Sequence, residues 1–217
     1  MNARKAQLTR TTRETQITVD LDLDGTGRFE VAAAPQFLKH MTETLARYAS
    51  WDLKLTARGD NDHHVIEDTA LALRQALGAG PVERTASCVL PMDDALVLVA
   101  LDLVDRPYAD IDCPDPLYHH FFRSFAMAAG LTLHVVKLRG FDEHHLVEAS
   151  FKAFGKALSA ASTSRTARSS RARASSASGT SVIRRTWPQN IPRKGRTRSP
   201  SWTSPPPRSP GGPSSNW

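Results

Sequence analysis

The sequence predicts an α+β fold in which one α/β half occurs twice, and three observations carry that prediction. Strand-type alternation and helix-type periodicity follow one another in the same order in two passes along the chain. In each pass a helix bearing one histidine leads to a strand and then to a helix opening on His-His-x-x-Glu. The spacings agree as well. His40 precedes His63 by 23 positions and His120 precedes His144 by 24, so the passes are offset by 80 at the lone histidine and 81 at the cluster. Self-similarity of this kind marks an internal duplication, with one half over 1–80 and the other over 81–158.

In the first half, residues 6–23 alternate, with Ile17, Val19, Leu21 and Leu23 on one face, and read as a strand. Asp24-Gly25-Thr26-Gly27 supplies a hairpin turn from which Arg28 to Ala32 returns as a second strand. After Pro35, the residues Phe37, Met41, Leu45 and Tyr48 recur at helical spacing and carry His40 with them. Trp51 to Ala57 alternates again. The helix that opens on His63-His64 runs to about Leu77, with Ile66, Ala70, Leu73 and Leu77 toward the core. Gly78-Ala79-Gly80-Pro81 breaks the chain.

The second half offers strands over 85–90, 95–103 and 108–111. A helix over 117–129 follows, with Leu117, Phe121, Phe125 and Ala129 in one stripe. Residues 131–138 form a strand, and the helix bearing His144-His145 ends near Leu158. Beyond it Ser, Arg, Pro and Gly dominate, and residues 159–217 read as a disordered basic tail that cannot bury enough apolar surface to offset its ordering entropy.

The net charge of +6 belongs to that tail, which holds eleven Lys and Arg and no acid. The remainder carries 17 basic and 22 acidic residues, a net charge of −5, so the basic balance says nothing about the folded part. Nucleic-acid binding through the tail is a weaker alternative, because the tail lacks regular aromatic interleaving. Cys88 and Cys113 are too few for a disulfide framework and read as reduced, buried thiols. No apolar run approaches the ~18 residues of a membrane span, and the N-terminal stretch has no apolar secretion core. A cytoplasmic protein is expected.

Six of the eight histidines fall in the duplicated pattern. Imidazole with carboxylate is a ligand set suited to Mn, Fe, Co or Zn. On a helix Glu67 lies one turn from both His63 and His64, so either could share a metal with it. Neighbouring helical residues diverge by roughly 100°, so each cluster should serve two metals. His40, His63, His64, Glu67, His120, His144, His145 and Glu148 make eight candidate ligands, enough for two ions with four each. His119 and His134 have no counterpart, and Phe121 and Phe122 read as packing.

Several stretches carry a resemblance to the imidazoleglycerol-phosphate dehydratase family. They are Phe37-Leu38-Lys39-His40-Met41, the run from Asp62 to Leu73, Pro91-Met92-Asp93, Arg106-Pro107-Tyr108, His120-Phe121-Phe122-Arg123-Ser124 and His144-His145-Leu146-Val147-Glu148-Ala149. The resemblance implies two similar halves, each a mixed four-stranded sheet backed by helices, in the manner of ribosomal protein S5 domain 2. It implies a hydro-lyase converting imidazole glycerol phosphate to imidazole acetol phosphate in histidine biosynthesis. Two Mn²⁺ per subunit would be held by the eight ligands named above, between subunits of a 24-subunit shell built from trimers. Glu14 matches a substrate-contacting acid with a part in proton transfer, and Glu67 and Glu148 serve catalysis through the metals. Arg84, Arg106 and Lys152 match substrate-binding positions, the arginines suiting the phosphate. Lys39 stands where the family usually has Asp, and no Ser-Thr-Lys-Gly segment closes the chain. A metal-assembled homologue with impaired catalysis is therefore the second reading.

Overall fold

Each half begins with an antiparallel hairpin. In the computed structural model, which describes residues 4–77 and 84–162, β1 (Lys5–Thr11) pairs with β2 (Thr15–Asp22), and β5 (Thr85–Met92) with β6 (Ala95–Asp102). The long alternating stretch at the start is thus two strands rather than one. Thr12 makes the break: its hydroxyl accepts the N–H of Glu14 (3.1 Å) and of Thr15 (2.9 Å), a turn with no Gly or Pro to announce it.

The next strand, β3 (Phe29–Ala33), does not fold back on β2 as a hairpin. It lies parallel to β4 (Asp52–Gly59), on the far side of that strand, while β4 pairs antiparallel with β2. The expected hairpin turn instead wraps the Asp52 side chain, whose Oδ1 accepts the N–H of Thr26 (2.7 Å) and Arg28 (3.0 Å). Gly25 is required there, because a Cβ would stand 2.2 Å from the Asp52 nitrogen. The second half repeats the plan, with β7 (Tyr108–Ile111) parallel to β8 (Thr132–Arg139) and β8 antiparallel to β6. Sheet orders β1-β2-β4-β3 and β5-β6-β8-β7 correspond strand for strand, so the fold is a duplicated pair of α/β halves.

Helices α1 (Gln36–Ala49) and α2 (Asp62–Leu77) cover the first sheet, and α3 (Pro116–Ala129) and α4 (Glu143–Ser162) the second. Because α1 packs on α4 and α2 on α3, the four helices lie between the sheets. Their core faces are slightly rotated from the expected stripes. Leu38, Met41, Leu45 and Ala49 are buried on α1, whereas Phe37 and Tyr48 flank them half-buried. On α3 the buried set is Tyr118, Phe121, Phe122, Ser124, Phe125 and Ala126. Phe121, Phe122, Phe125, Phe151 and Phe154 interlock through ring centroids 4.7–6.5 Å apart, and each buried ring contributes about 1.5–3 kcal/mol. Cys113 is buried and Cys88 half-buried, both as free thiols. Helix α4 runs past Leu158 to Ser162; the rest of the basic tail lies outside the described residues.

The outer faces of the sheets differ. Across the first, Thr9, Thr18 and Thr56 stand side by side in register. At the corresponding positions of the second stand Val89, Leu98 and Val136, with Val89 54% exposed. One neighbouring pair is shared: Lys54–Glu30 (3.0 Å) in the first half corresponds to His134–Asp110 (3.7 Å) in the second. His134 therefore has a counterpart after all, in a lysine.

Candidate metal centres

The paired histidines occupy first turns of helices because polar residues just upstream hold the backbone there. Asn61 Oδ1 accepts the His64 N–H (3.0 Å), and Asp142 Oδ1 accepts that of His145 (3.1 Å), each satisfying a helix-end donor that has no intrahelical partner. Helical geometry then sets His63 over Glu67, with Nε2 3.8 Å from Oε2, and His144 over Glu148 at 3.4 Å.

The lone histidines complete these pairs by exchange between halves. His120, from the second half, brings Nε2 to 3.3 Å from Glu67 Oε2. His40, from the first, brings Nε2 to 3.3 Å from Glu148 Oε2. Two three-donor groups result, His63–Glu67–His120 and His40–His144–Glu148, with donor atoms in each within 4.8 Å of one another. Both consist of two Nε2 atoms converging on one carboxylate oxygen. Donors about 2.1 Å from a shared ion stand roughly 3 Å apart, so the N···O spacings of 3.3–3.8 Å could close on a shared metal ion with modest adjustment. His40, His63 and His144 are about half exposed, which leaves each group open on one side for further ligands.

His64 and His145 join neither group. His64 turns its Nδ1 to Asp60 (2.8 Å), with Glu14 at 3.7 Å, and His145 turns its Nδ1 to Asp94 (2.7 Å). The Asp60 and Asp94 carboxylates, through these hydrogen bonds, raise both imidazoles above their ordinary value. Asp94 itself is held down at about 2, first by the Phe141 N–H and then by His145.

Lys152 stands beside the second group, its Nζ 2.9 Å from Glu148 Oε1. Burial works against the Glu148 charge, but Lys152 and His40 outweigh it and the carboxyl is lowered on balance. Lys39 is directed to Glu43 on its own helix, at 3.9 Å. Arg84 and Arg106 are elsewhere. Arg84 pairs with Asp102 through two bonds of 2.8 and 2.9 Å, and the Arg106 carbonyl accepts from Thr132. The β5–β6 register puts these residues at the end of the sheet away from His145, roughly 25 Å off at about 3.3 Å per residue.

Asp60 and Asp94 are partners that sequence reasoning missed. Their signal was faint: an acid in the turn before one cluster, and an acid in the hairpin turn packed against the other. Phe37, half-buried against the core, also stacks on His144, with ring centroids 4.9 Å apart.

Comparison with known proteins gives a consistent result. A family model described as imidazoleglycerol-phosphate dehydratase matches residues 34–158. The chain is 42% identical over 173 residues to the enzyme of that name from Ruegeria pomeroyi, covering 71% of this chain and 89% of the relative. It is 44% identical over 176 residues to the one from Desulfitobacterium hafniense, covering 73% and 90%. Among solved structures, imidazoleglycerol-phosphate dehydratase from Pyrococcus furiosus in complex with (S)-C348 superposes with a TM-score of 0.66 at 34% identity, covering 73% of this chain and 95% of that one. The Staphylococcus aureus structure gives 0.63 at 29% identity, covering 74% and 99%.

Proposed function

This chain belongs to the imidazoleglycerol-phosphate dehydratase family, and on that footing we propose that it dehydrates imidazole glycerol phosphate to imidazole acetol phosphate in histidine biosynthesis. The observation that carries the reading is the reciprocal exchange of His40 and His120 between two His/Glu groups, in a chain this similar to known dehydratases.

Two divalent cations, Mn²⁺ in our reading, would be held by His63, Glu67 and His120 and by His40, His144 and Glu148. His64 and His145 would be the remaining protein ligands, at centres that would lie between subunits. When bound, the cations act as Lewis acids toward the substrate imidazole and as a template for it. The protein's own groups do the rest. Glu14 is exposed and lies beside His64, where a carboxylate can move a proton to or from substrate carbon or oxygen. Lys152 supplies an ammonium next to Glu148. Arg84 and Arg106 suit a phosphate, and their distance from the histidines within one chain calls for a neighbouring copy to supply them.

Assembly is thus part of the function: a homo-oligomer, 24 subunits built from trimers, of halves over 1–80 and 81–158. The apolar Val89–Leu98–Val136 stripe, where the first sheet has threonines, supports a covered face. Among the described residues no helix is long and apolar enough to cross a membrane, and the cytoplasm suits this biosynthetic role. Purified chain loaded with Mn²⁺ should form imidazole acetol phosphate, and the gene should rescue a histidine auxotroph lacking its dehydratase. Absence of turnover in a fully loaded, assembled sample refutes the activity. Glu14→Gln should retain metal and assembly while losing turnover; normal turnover removes Glu14 from proton transfer.

A further inference from the structure

Asp94 sits in the tight turn between β5 and β6, and its two carboxylate oxygens have separate tasks. Oδ2 accepts the N–H of Phe141 (2.7 Å) and of Asp142 (3.2 Å), the residues leading into α4. Oδ1 lies 2.7 Å from Nδ1 of His145. A carboxylate can only accept, so the proton of that bond belongs to Nδ1. Neutral His145 then keeps its lone pair on Nε2, which faces the exposed Asp93 carboxylate at 3.6 Å.

The duplication makes the arrangement more pointed. The turn between β1 and β2 carries Glu14 in the corresponding place, exposed and 3.7 Å from His64, and Asp60 meets the Nδ1 of His64 instead, at 2.8 Å. One hairpin carboxylate is left available for chemistry. Its counterpart is clamped to backbone and imidazole together.

We propose that Asp94 is a positioning residue: by holding the Nδ1 edge of His145 it fixes the tautomer and aim of that ring, so that Nε2 is delivered to a divalent cation. The proposal rests on the reading of His145 as a ligand. Ligating histidines commonly donate their other N–H to such a partner, and losing the partner typically costs 10–100-fold in metal affinity.

The test is titration of the metal-stripped full chain with Mn²⁺, following free Mn²⁺ by electron paramagnetic resonance, in wild type, Asp94→Ala, Asp94→Asn and His145→Ala. Asp94→Ala should weaken one of two equivalents by about 10–100-fold. Asp94→Asn discriminates further. Its amide oxygen is claimed by the Phe141 and Asp142 N–H groups, which turns its NH₂ toward Nδ1, forces the imidazole proton onto Nε2 and blocks ligation. The asparagine variant should therefore lose at least as much affinity as the alanine variant while keeping the loop's hydrogen bonds from the Phe141 and Asp142 N–H groups. A purely structural Asp94 gives the reverse order, asparagine close to wild type and alanine worst, and that order overturns the proposal. Unchanged affinity in both variants, with the equivalent lost in His145→Ala, overturns it too. If His145→Ala binds like wild type, the ligand reading fails first. Should Asp94→Ala not fold, Asp94→Asn decides alone: wild-type affinity refutes the role, and a loss of about 10-fold or more supports it.

Discussion

Glu148 is the most heavily used side chain in either metal group. Its Oε2 faces His40 and His144, its Oε1 faces Lys152, and little of it is open to solvent. Glu148→Gln keeps the shape but removes the charge that offsets Lys152 and a bound dication. Metal analysis of this variant should show one ion per chain where wild type shows two, a larger loss than the 10–100-fold typical of outer contacts. Asp94 carries a pH prediction. Its folded carboxyl lies at about 2 against 3.8 for the free group, so its stabilisation is complete above about pH 4 and is lost as pH falls toward 2. Urea titrations of metal-free protein across that window should show a shallower acid slope in Asp94→Ala than in wild type.

At the scale of elements, the metal groups depend on how closely helices from different halves approach. Gly155 on α4 lies against α1, where a Cβ would stand 2.9 Å from the Leu45 carbonyl oxygen and 3.1 Å from the Ala49 nitrogen. The same two helices carry His40 and His144–Glu148 at their N-terminal ends. Gly155→Val should push them apart, at a cost of about 1–3 kcal/mol from overpacking. It should weaken the His40–His144–Glu148 group while sparing His63–Glu67–His120. Mn²⁺ titration with a parallel denaturation curve checks both, and equal weakening of the two groups would point to general unfolding instead. The elements themselves were largely legible in the sequence, since apolar periodicity and turn residues report local conformation directly. The two errors share a cause. Thr12 closes a turn with a side-chain hydroxyl that alternation cannot show, and β3 chooses its neighbour through the Asp52-centred turn rather than by proximity in sequence.

For the molecule as a whole, the two outer sheet faces depart from internal symmetry, threonines on the first standing where the second has Val89, Leu98 and Val136. Val89→Lys places an ammonium in the apolar stripe without touching the core. In sizing experiments it should yield smaller species than wild type under the same Mn²⁺ loading, while wild type should shrink when chelator removes the metal. An unchanged particle size in the lysine variant would take this face out of the assembly.

By itself the sequence determined the duplication, most of the order of strands and helices, and that Glu67 and Glu148 each lie one helical turn from their paired histidines; which histidine of each pair faces the carboxylate was left open. All of these depend on spacings of a few residues, which helical and strand geometry convert directly into position. Tertiary structure alone decided that His40 and His120 cross to the opposite half, and that His64 and His145 turn to acids in neighbouring turns. It also decided that Arg84 and Arg106 stand at the other end of the sheet. Those outcomes depend on how two sheets and four helices pack over separations of tens of residues, and no local periodicity carries that information.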